Sequence, residues 1–242
     1  MTLEICAANL DSAMAAQQAG AHRIELCSAL VAGGLTPSPG LLRETLHRVS
    51  IPVHVLIRPR EGHFVYSVAE TDLMCADVAF CKEHGAAGVV VGALLPGGDL
   101  DLRALEKLKA AAGHMTLTFH RAIDVCPHPL EALEALIAFG FVRVLSSGGA
   151  PTAWAGRTRL REMVSASRGR IAVMPGGGIT PGNIGALALE TGATTFHMSA
   201  QKRTPLSHPG LPGMPGEYAV SDESTIRQTL IALLDHQSRL MA

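Results

Sequence analysis

A short apolar run recurs eight times along this chain, and each copy ends in polar residues, Gly or Pro before a helical pattern takes over. The runs are Leu3 to Cys6, Arg23 to Cys27, Val53 to Arg58, Gly88 to Gly92, Met115 to Arg121, Arg143 to Ser147, Ile171 to Gly176 and Thr195 to Ser199. Strands alternating with helices build a parallel sheet, and eight such units predict an α/β chain folded as a (β/α)₈ barrel rather than as an open sheet. That fold carries its chemistry at the C-terminal ends of the strands, so the polar strand ends are where function is to be read.

Size fits the same fold. With 242 residues, 48% of them hydrophobic, the chain can bury one full core, and residues 1–242 are expected to form a single barrel domain. The net charge of -1 and the lack of a Lys/Arg block argue against nucleic acid or an anionic membrane as partner. A small anionic ligand or a metal ion is the expected partner instead. The sequence opens directly into a strand and has no apolar stretch near the ~18 residues of a membrane span, so a soluble, cytoplasmic protein is expected.

Helix signals punctuate the loops. Asn9 or Asp11 can cap a first helix running to Ala19 and ended by Gly20, and Ser38 with Pro39 reads as a cap followed by Pro at the first helical position. Arg58 to Tyr66 forms a polar loop containing two of the few aromatics, suited to a lid or a substrate wall, and leads into a helix over Val68 to His84. Leu206 to Gly216, rich in Pro and Gly, is expected to be an irregular excursion before a last helix over Asp222 to Leu240.

Side chains two apart in a strand share a face, which pairs Glu4 with Cys6 and Glu25 with Cys27 on adjacent strands. By the same rule Thr116, Thr118 and His120 share a face, as do Thr195, His197 and Ser199. If these faces point inward, the mouth holds two carboxylates, two thiols and two imidazoles. Buried carboxylates need partners, and Arg58, Arg60 and Arg121 are the candidates nearest in this pattern.

Of the five cysteines, Cys75 and Cys81 fall in the helical stretch after strand 3 and read as packed hydrophobes. No CxxC pair is present, and Cys126 stands apart. Cys6 and Cys27 differ, because thiols beside imidazoles form a soft site that prefers Cu(I) or zinc. As metal ligands they should lie on one side of the mouth, about 4 to 7 Å apart for metal–sulfur bonds near 2.3 Å. A second reading makes His120 and Glu25 an acid–base pair, with Arg58, Arg121 and Asp124 completing a catalytic group for a small anionic substrate. A third reading makes the Glu and Arg residues a structural salt-bridge layer.

Glycines after strands 6 and 7 add an anion cradle to these readings. Ser147, Gly148 and Gly149, with Gly176, Gly177 and Gly178, allow backbone N–H groups to approach an anion closely, and Thr180 with Pro181 predicts a helix start aimed at the same point. The two turns and this helix start are expected to converge on one pocket, with His120 and Arg121 across the mouth.

The segments LEICAANLDSA, RIELCSALVAGGLTPS, IRPREGHFVY, TFHRAID, VLSSGGA and MPGGGI, in this order, resemble the CutC family, the copper homeostasis proteins. The resemblance spans nearly the whole chain. It implies a (β/α)₈ barrel, a cytosolic location, assembly into a homo-oligomer (dimer or tetramer) and a role in copper homeostasis with Cu(I) at the barrel mouth. The alternative is a barrel lyase, isomerase or hydrolase acting on a small anionic, sugar-like or phosphorylated substrate. The family's motif positions map onto Glu4, Cys6, Glu25, Cys27, Arg58, Arg60, His120, Arg121, Asp124, Ser147 and Gly176 to Gly178. His63 departs from the pattern, since the family more often has Asp there.

Overall fold

A computed structural model describes residues 1–204 and 216–241. Eight parallel strands run in the order β7-β6-β5-β4-β3-β2-β1-β8, and the ring closes where Gly176, just past β7, forms a parallel bridge with His197 in β8. The strands are β1 (Thr2–Ala7), β2 (Arg23–Leu26), β3 (Val53–Leu56), β4 (Gly88–Val91), β5 (Thr116–Phe119), β6 (Arg143–Ser146), β7 (Ala172–Pro175) and β8 (Thr195–Met198). Helices α1 (Leu10–Gln18), α2 (Pro39–Arg48), α3 (Val68–Glu83), α4 (Leu102–Ala112), α5 (Pro129–Phe139), α6 (Arg157–Ser167) and α7 (Ile184–Thr191) separate them, and α8 (Glu223–Met241) ends the chain. The protein is a (β/α)₈ barrel.

Alternation along each strand sorts the chain into two interiors. One set of side chains, among them Leu3, Ile5, Ile24, Leu26, Val55, Val89, Val91, Phe119, Val144 and Phe196, faces the helices and forms the main apolar core. The other set points into the barrel and is mostly polar, with a small apolar cluster of Cys6, Cys27, Leu56 and Val90 near the mouth. The apolar burial that stabilises this fold therefore lies between sheet and helices, which leaves the barrel lumen free to hold charged groups.

Local signals set the helix starts. Asn9 accepts a hydrogen bond from the Ser12 N–H, Ser38 does so from Leu41 with Pro39 opening α2, and Ser67 with Glu70 forms a capping box on α3. The start of α7 departs from expectation. Asn183 Oδ1 accepts from the Thr180 N–H while its Nδ2 donates to the Gly178 carbonyl, so residues 180–183 close a turn and the helix begins at Ile184.

After β8 the chain makes a hairpin that the sequence reading lacked. Strand β9 (Gln201–Thr204) pairs antiparallel with β10 (Tyr218–Ser221), and most of the expected excursion over Leu206 to Gly216 lies outside the described residues. Asn9 Nδ2 donates to the Ala219 carbonyl at 2.8 Å and the Ser221 N–H donates to Ser12 Oγ at 3.0 Å, tying the hairpin to the first helix.

Candidate functional site at the barrel mouth

A cavity of about 360 Å³ opens at the C-terminal ends of the strands. Its floor rests on a buried ionic layer. Register places Glu4 opposite Arg23 on β2 and opposite His197 on β8, so one carboxylate meets two basic groups. Arg23 Nε donates to Glu4 Oε2, and His197 Nδ1 lies 2.8 Å from Glu4 Oε1. Burial works against the Glu4 charge, but the His197 hydrogen bond and the Arg23 charge outweigh it and hold the carboxyl well below the usual range. Nearer the N-terminal ends of the strands, Arg143 donates to Thr116 and Thr118 and lies 2.8 Å from His54 Nδ1. Burial, with the Arg143 charge adding to it, lowers the His54 pKa to about 3.

Above this layer stand the thiols. Cys6 sits opposite Glu25 in the register, its Sγ 3.6 Å from Glu25 Oε1 and 3.5 Å from Cys27 Sγ. Both cysteines are reduced and buried. They lie on one side of the mouth, slightly closer than the expected range, because they occupy diagonal positions on neighbouring strands. Cys6, Glu25 and His197 line the cavity, and donor atoms from all three fall within 4.8 Å of one another. Cys27 stands behind Cys6 and does not itself line the cavity. The Cys27 contact and burial push the Cys6 thiol up. Burial pushes the Glu25 carboxyl up, with the His197 charge opposing and the Glu4 charge adding. Burial disfavours the His197 imidazolium, but the charges of Glu25 and Glu4 and the Glu4 hydrogen bond raise its pKa.

His120 faces the same cavity from the end of β5. The Ala122 N–H donates to its Nδ1 at 3.1 Å, which leaves the neutral ring's proton on Nε2. Burial, with the Arg58 charge adding to it, lowers the His120 pKa to about 3, so the ring is neutral near pH 7. Its place depends on Gly92, where a methyl group would stand 2.2 Å from Cε1 and 2.6 Å from Nδ1. Gly92→Ala is therefore expected to displace the ring, break the Ala122 bond and cost about 1 to 3 kcal/mol by overpacking. Urea unfolding together with the His120 proton shifts checks this, and an unmoved ring at full stability would refute the packing argument.

The arginines are placed otherwise than the sequence suggested. Arg58 does line the cavity, but its Nη1 donates to the carbonyls of Ala32 and Gly34 and its Nη2 to Gly62, with the guanidinium 5.3 Å from the Phe64 ring centroid. It bonds neither Glu4 nor Glu25, because Arg23 already faces Glu4 in the register and the Arg58 fork turns toward the loops it joins. Arg60 pairs with Glu70 and Arg121 with Asp124. Phe64 supplies the wall expected of the loop after β3, whereas His63 is exposed and lies off the cavity.

The glycine turns separate. Asp124 fills the turn after β6, accepting from the Ser147 and Gly149 N–H groups and from the Ser146 hydroxyl at 2.6 Å. That turn is an anion cradle already occupied by the chain's own carboxylate. Gly148 and Gly149 accordingly line a neighbouring cavity with Asp124, and Asp124 touches the mouth through Arg121, whose Nη2 also donates to Ser147 Oγ. Gly177, Gly178 and Ile179 do reach the mouth, along with His120 and Arg121, while Gly176 closes the barrel. The expected convergence therefore holds for the turn after β7 and fails for the turn after β6 and for the helix start.

Three groups of the polar lumen went unread in the sequence: Arg23, His54 and Arg143. Arg23 was legible by stepping back two residues from Glu25 along a face already assigned inward, whereas no face had been assigned to the strands that carry His54 and Arg143.

The fold and this cluster define a class: a parallel (β/α)₈ barrel whose C-terminal mouth holds a buried thiol, carboxylate and imidazole. Residues 1–202 match the CutC family. A family protein CutC from Xylella fastidiosa is 46% identical over 236 residues, covering 96% of this chain and 88% of that one. Another from Xanthomonas axonopodis pv. citri is 44% identical over 237 residues, covering 96% and 99%. The crystal structure of a CutC protein from Streptococcus agalactiae, named for copper homeostasis, superposes with a TM-score of 0.79 at 34% identity, covering 82% of this chain and 98% of that one. A phosphoribosyl anthranilate isomerase from Thermotoga maritima gives a TM-score of 0.56 at 13% identity, a likeness of fold alone. The chain belongs to the CutC family.

Proposed function

We propose that this protein takes part in copper homeostasis by binding Cu(I) at the barrel mouth through Cys6 and Cys27, with His197 as a further donor. The observation that carries the reading is the pair of buried, reduced thiols 3.5 Å apart beside an imidazole that lines an open cavity. With metal–sulfur bonds near 2.3 Å, that separation gives a sulfur–metal–sulfur angle of roughly 100°, suited to three or four donors rather than a linear pair. Thiolate and imidazole together form a soft donor set, matched to Cu(I). Glu25 offers an oxygen beside Cys6 and His197, and as a hard carboxylate donor it suits Cu(I) least of the four. The relative from Streptococcus agalactiae is named for copper homeostasis, which supports the same role here. The reading takes the protein to be cytoplasmic, where thiols stay reduced, and a homo-oligomer. Among the described residues no helix is long and apolar enough to cross a membrane.

Anaerobic titration of Cu(I) against a competing chelator tests it. One tightly held ion per chain, with proton release on binding, is the expected result. Failure of the protein to take Cu(I) from a weak chelator would reject the reading.

A further inference from the structure

We infer that the same mouth holds an anion subsite, apart from the thiols, which takes the phosphate group of a small phosphorylated sugar or polyol. The subsite is built where the ring closes. Because Gly176 bridges to His197, the turn after β7 and the loop after β8 run side by side, and Gly177, Gly178, Ile179 and Ser199 form one wall of the cavity. Among the described residues, the backbone N–H groups of Gly178, Ile179 and Ser199 have no hydrogen-bond partner, whereas that of Gly177 turns to His197 in the closing bridge. Gly177 and Gly178 have φ of +98° and +71°, a conformation that glycine adopts freely and that brings the backbone of this turn to the cavity without a side chain in the way.

Positive charge stands beside these amides. The ideal Cβ position of Gly177 lies 3.7 Å from Arg121 Nη1, the one terminal nitrogen of that guanidinium with no partner among the described residues. Asp124 holds the rest of Arg121 in place but faces the turn after β6, where amides and a hydroxyl already surround it. Arg58 adds a second cation. It is buried against the carbonyls of Ala32, Gly34 and Gly62 and the Tyr66 hydroxyl, all of them neutral, so no carboxylate bonds it. Amides from two loops and a guanidinium nitrogen outnumber what a carboxylate would use, and they suit the three terminal oxygens of a phosphate monoester.

The remainder of the ligand is written into the opposite wall. Glu25 Oε2 and His120 Nε2 are both buried without a hydrogen-bond partner, and both residues line this cavity. Native proteins rarely leave such atoms unsatisfied, and a pair of them calls for a polar occupant. His120 Nε2 donates, Glu25 accepts or donates according to its proton, and Phe64 and Leu56 give an apolar side. A short chain bearing hydroxyl or carbonyl groups meets this pattern, whereas free phosphate fills only the amide end.

Isothermal titration of the metal-free protein with inorganic phosphate, ribose 5-phosphate and ribose tests the inference. Ribose 5-phosphate is expected to bind about 10-fold or more tightly than inorganic phosphate, with ribose alone unbound. Gly177→Val should weaken both phosphates about 10-fold or more, since the φ of +98° excludes a branched side chain without moving the turn. It should keep its Cu(I) titration, which separates failure of the subsite from failure of the copper reading. Arg121→Gln serves as a second variant should Gly177→Val not fold, with the same loss expected. His120→Gln should weaken ribose 5-phosphate more than inorganic phosphate. Absence of binding by either phosphate up to ~10 mM, or wild-type affinity in folded Gly177→Val or Arg121→Gln, overturns the inference.

Discussion

Cys6→Ser is expected to lower Cu(I) affinity by at least about 100-fold, because loss of a group that merely supports a ligand already costs 10- to 100-fold. Cys27→Ser should act in the same direction, since its sulfur lies 3.5 Å from Cys6 Sγ and completes the soft pair. Cys81→Ser should leave affinity unchanged, as Cys81 packs in the apolar core on α3. Affinity should also rise with pH across the neutral range. The Cys27 contact and burial push the Cys6 thiol up, so the metal must displace a proton that a higher pH removes more readily. Competition titrations on the three variants at several pH values measure all of this. Equal affinity in wild type and Cys6→Ser would place copper elsewhere or nowhere on this chain.

Glu4→Gln should destabilise the protein by about 3 to 5 kcal/mol, the usual cost of removing one partner from a buried ion pair. The carboxylate is fully buried between Arg23 and His197, and its loss leaves the Arg23 charge inside the barrel without an anion. The sign of the pH effect follows from the shift. Its folded pKa lies well below the ordinary carboxylate value, so Glu4 contributes stability that is present above that ordinary value and is lost as pH falls through the acid range. The Gln variant should therefore show a smaller acid loss than wild type. Its His197 should also titrate lower, since a raising partner has gone. Urea unfolding against pH and the His197 proton shifts report both effects. A variant as stable as wild type with an unmoved His197 would show that the ionic layer is dispensable.

The barrel was legible because its two signals are local. Each strand is a short apolar run, and the first helices carry their own start marks, as Asn9 and Ser38 show by accepting the hydrogen bonds their positions imply. Period two placed Glu4, Cys6, Glu25 and Cys27 inside, where all four are buried. Partner choice was not legible, because it depends on register between strands far apart in sequence. Arg23 faces Glu4 only because β1 and β2 pair with Glu4 opposite Arg23, and no spacing within one strand states that. The same limit explains the turn after β6. Its glycines do form a cradle, but the anion comes from Asp124, 23 residues before Ser147. The β9–β10 hairpin escaped for a different reason, since β9 is Gln-Lys-Arg-Thr, exposed and without the apolar alternation that marks a strand.

That hairpin sets an order on how the molecule is made. Helix α1 packs against α8 and β10, and its capping residue Asn9 and its Ser12 are held by Ala219 and Ser221. Synthesis runs from the N-terminal side, so β1, β2 and α2 reach α1 early, while its face toward β10 and α8 stays open until more than 200 residues have followed. At roughly 5 to 20 residues per second, that leaves α1 and β1 waiting for ten seconds or more, a window in which a chaperone has its natural point of hold. A version of the gene that opened at β2 and carried β1 and α1 after α8 would close the same ring with that wait removed.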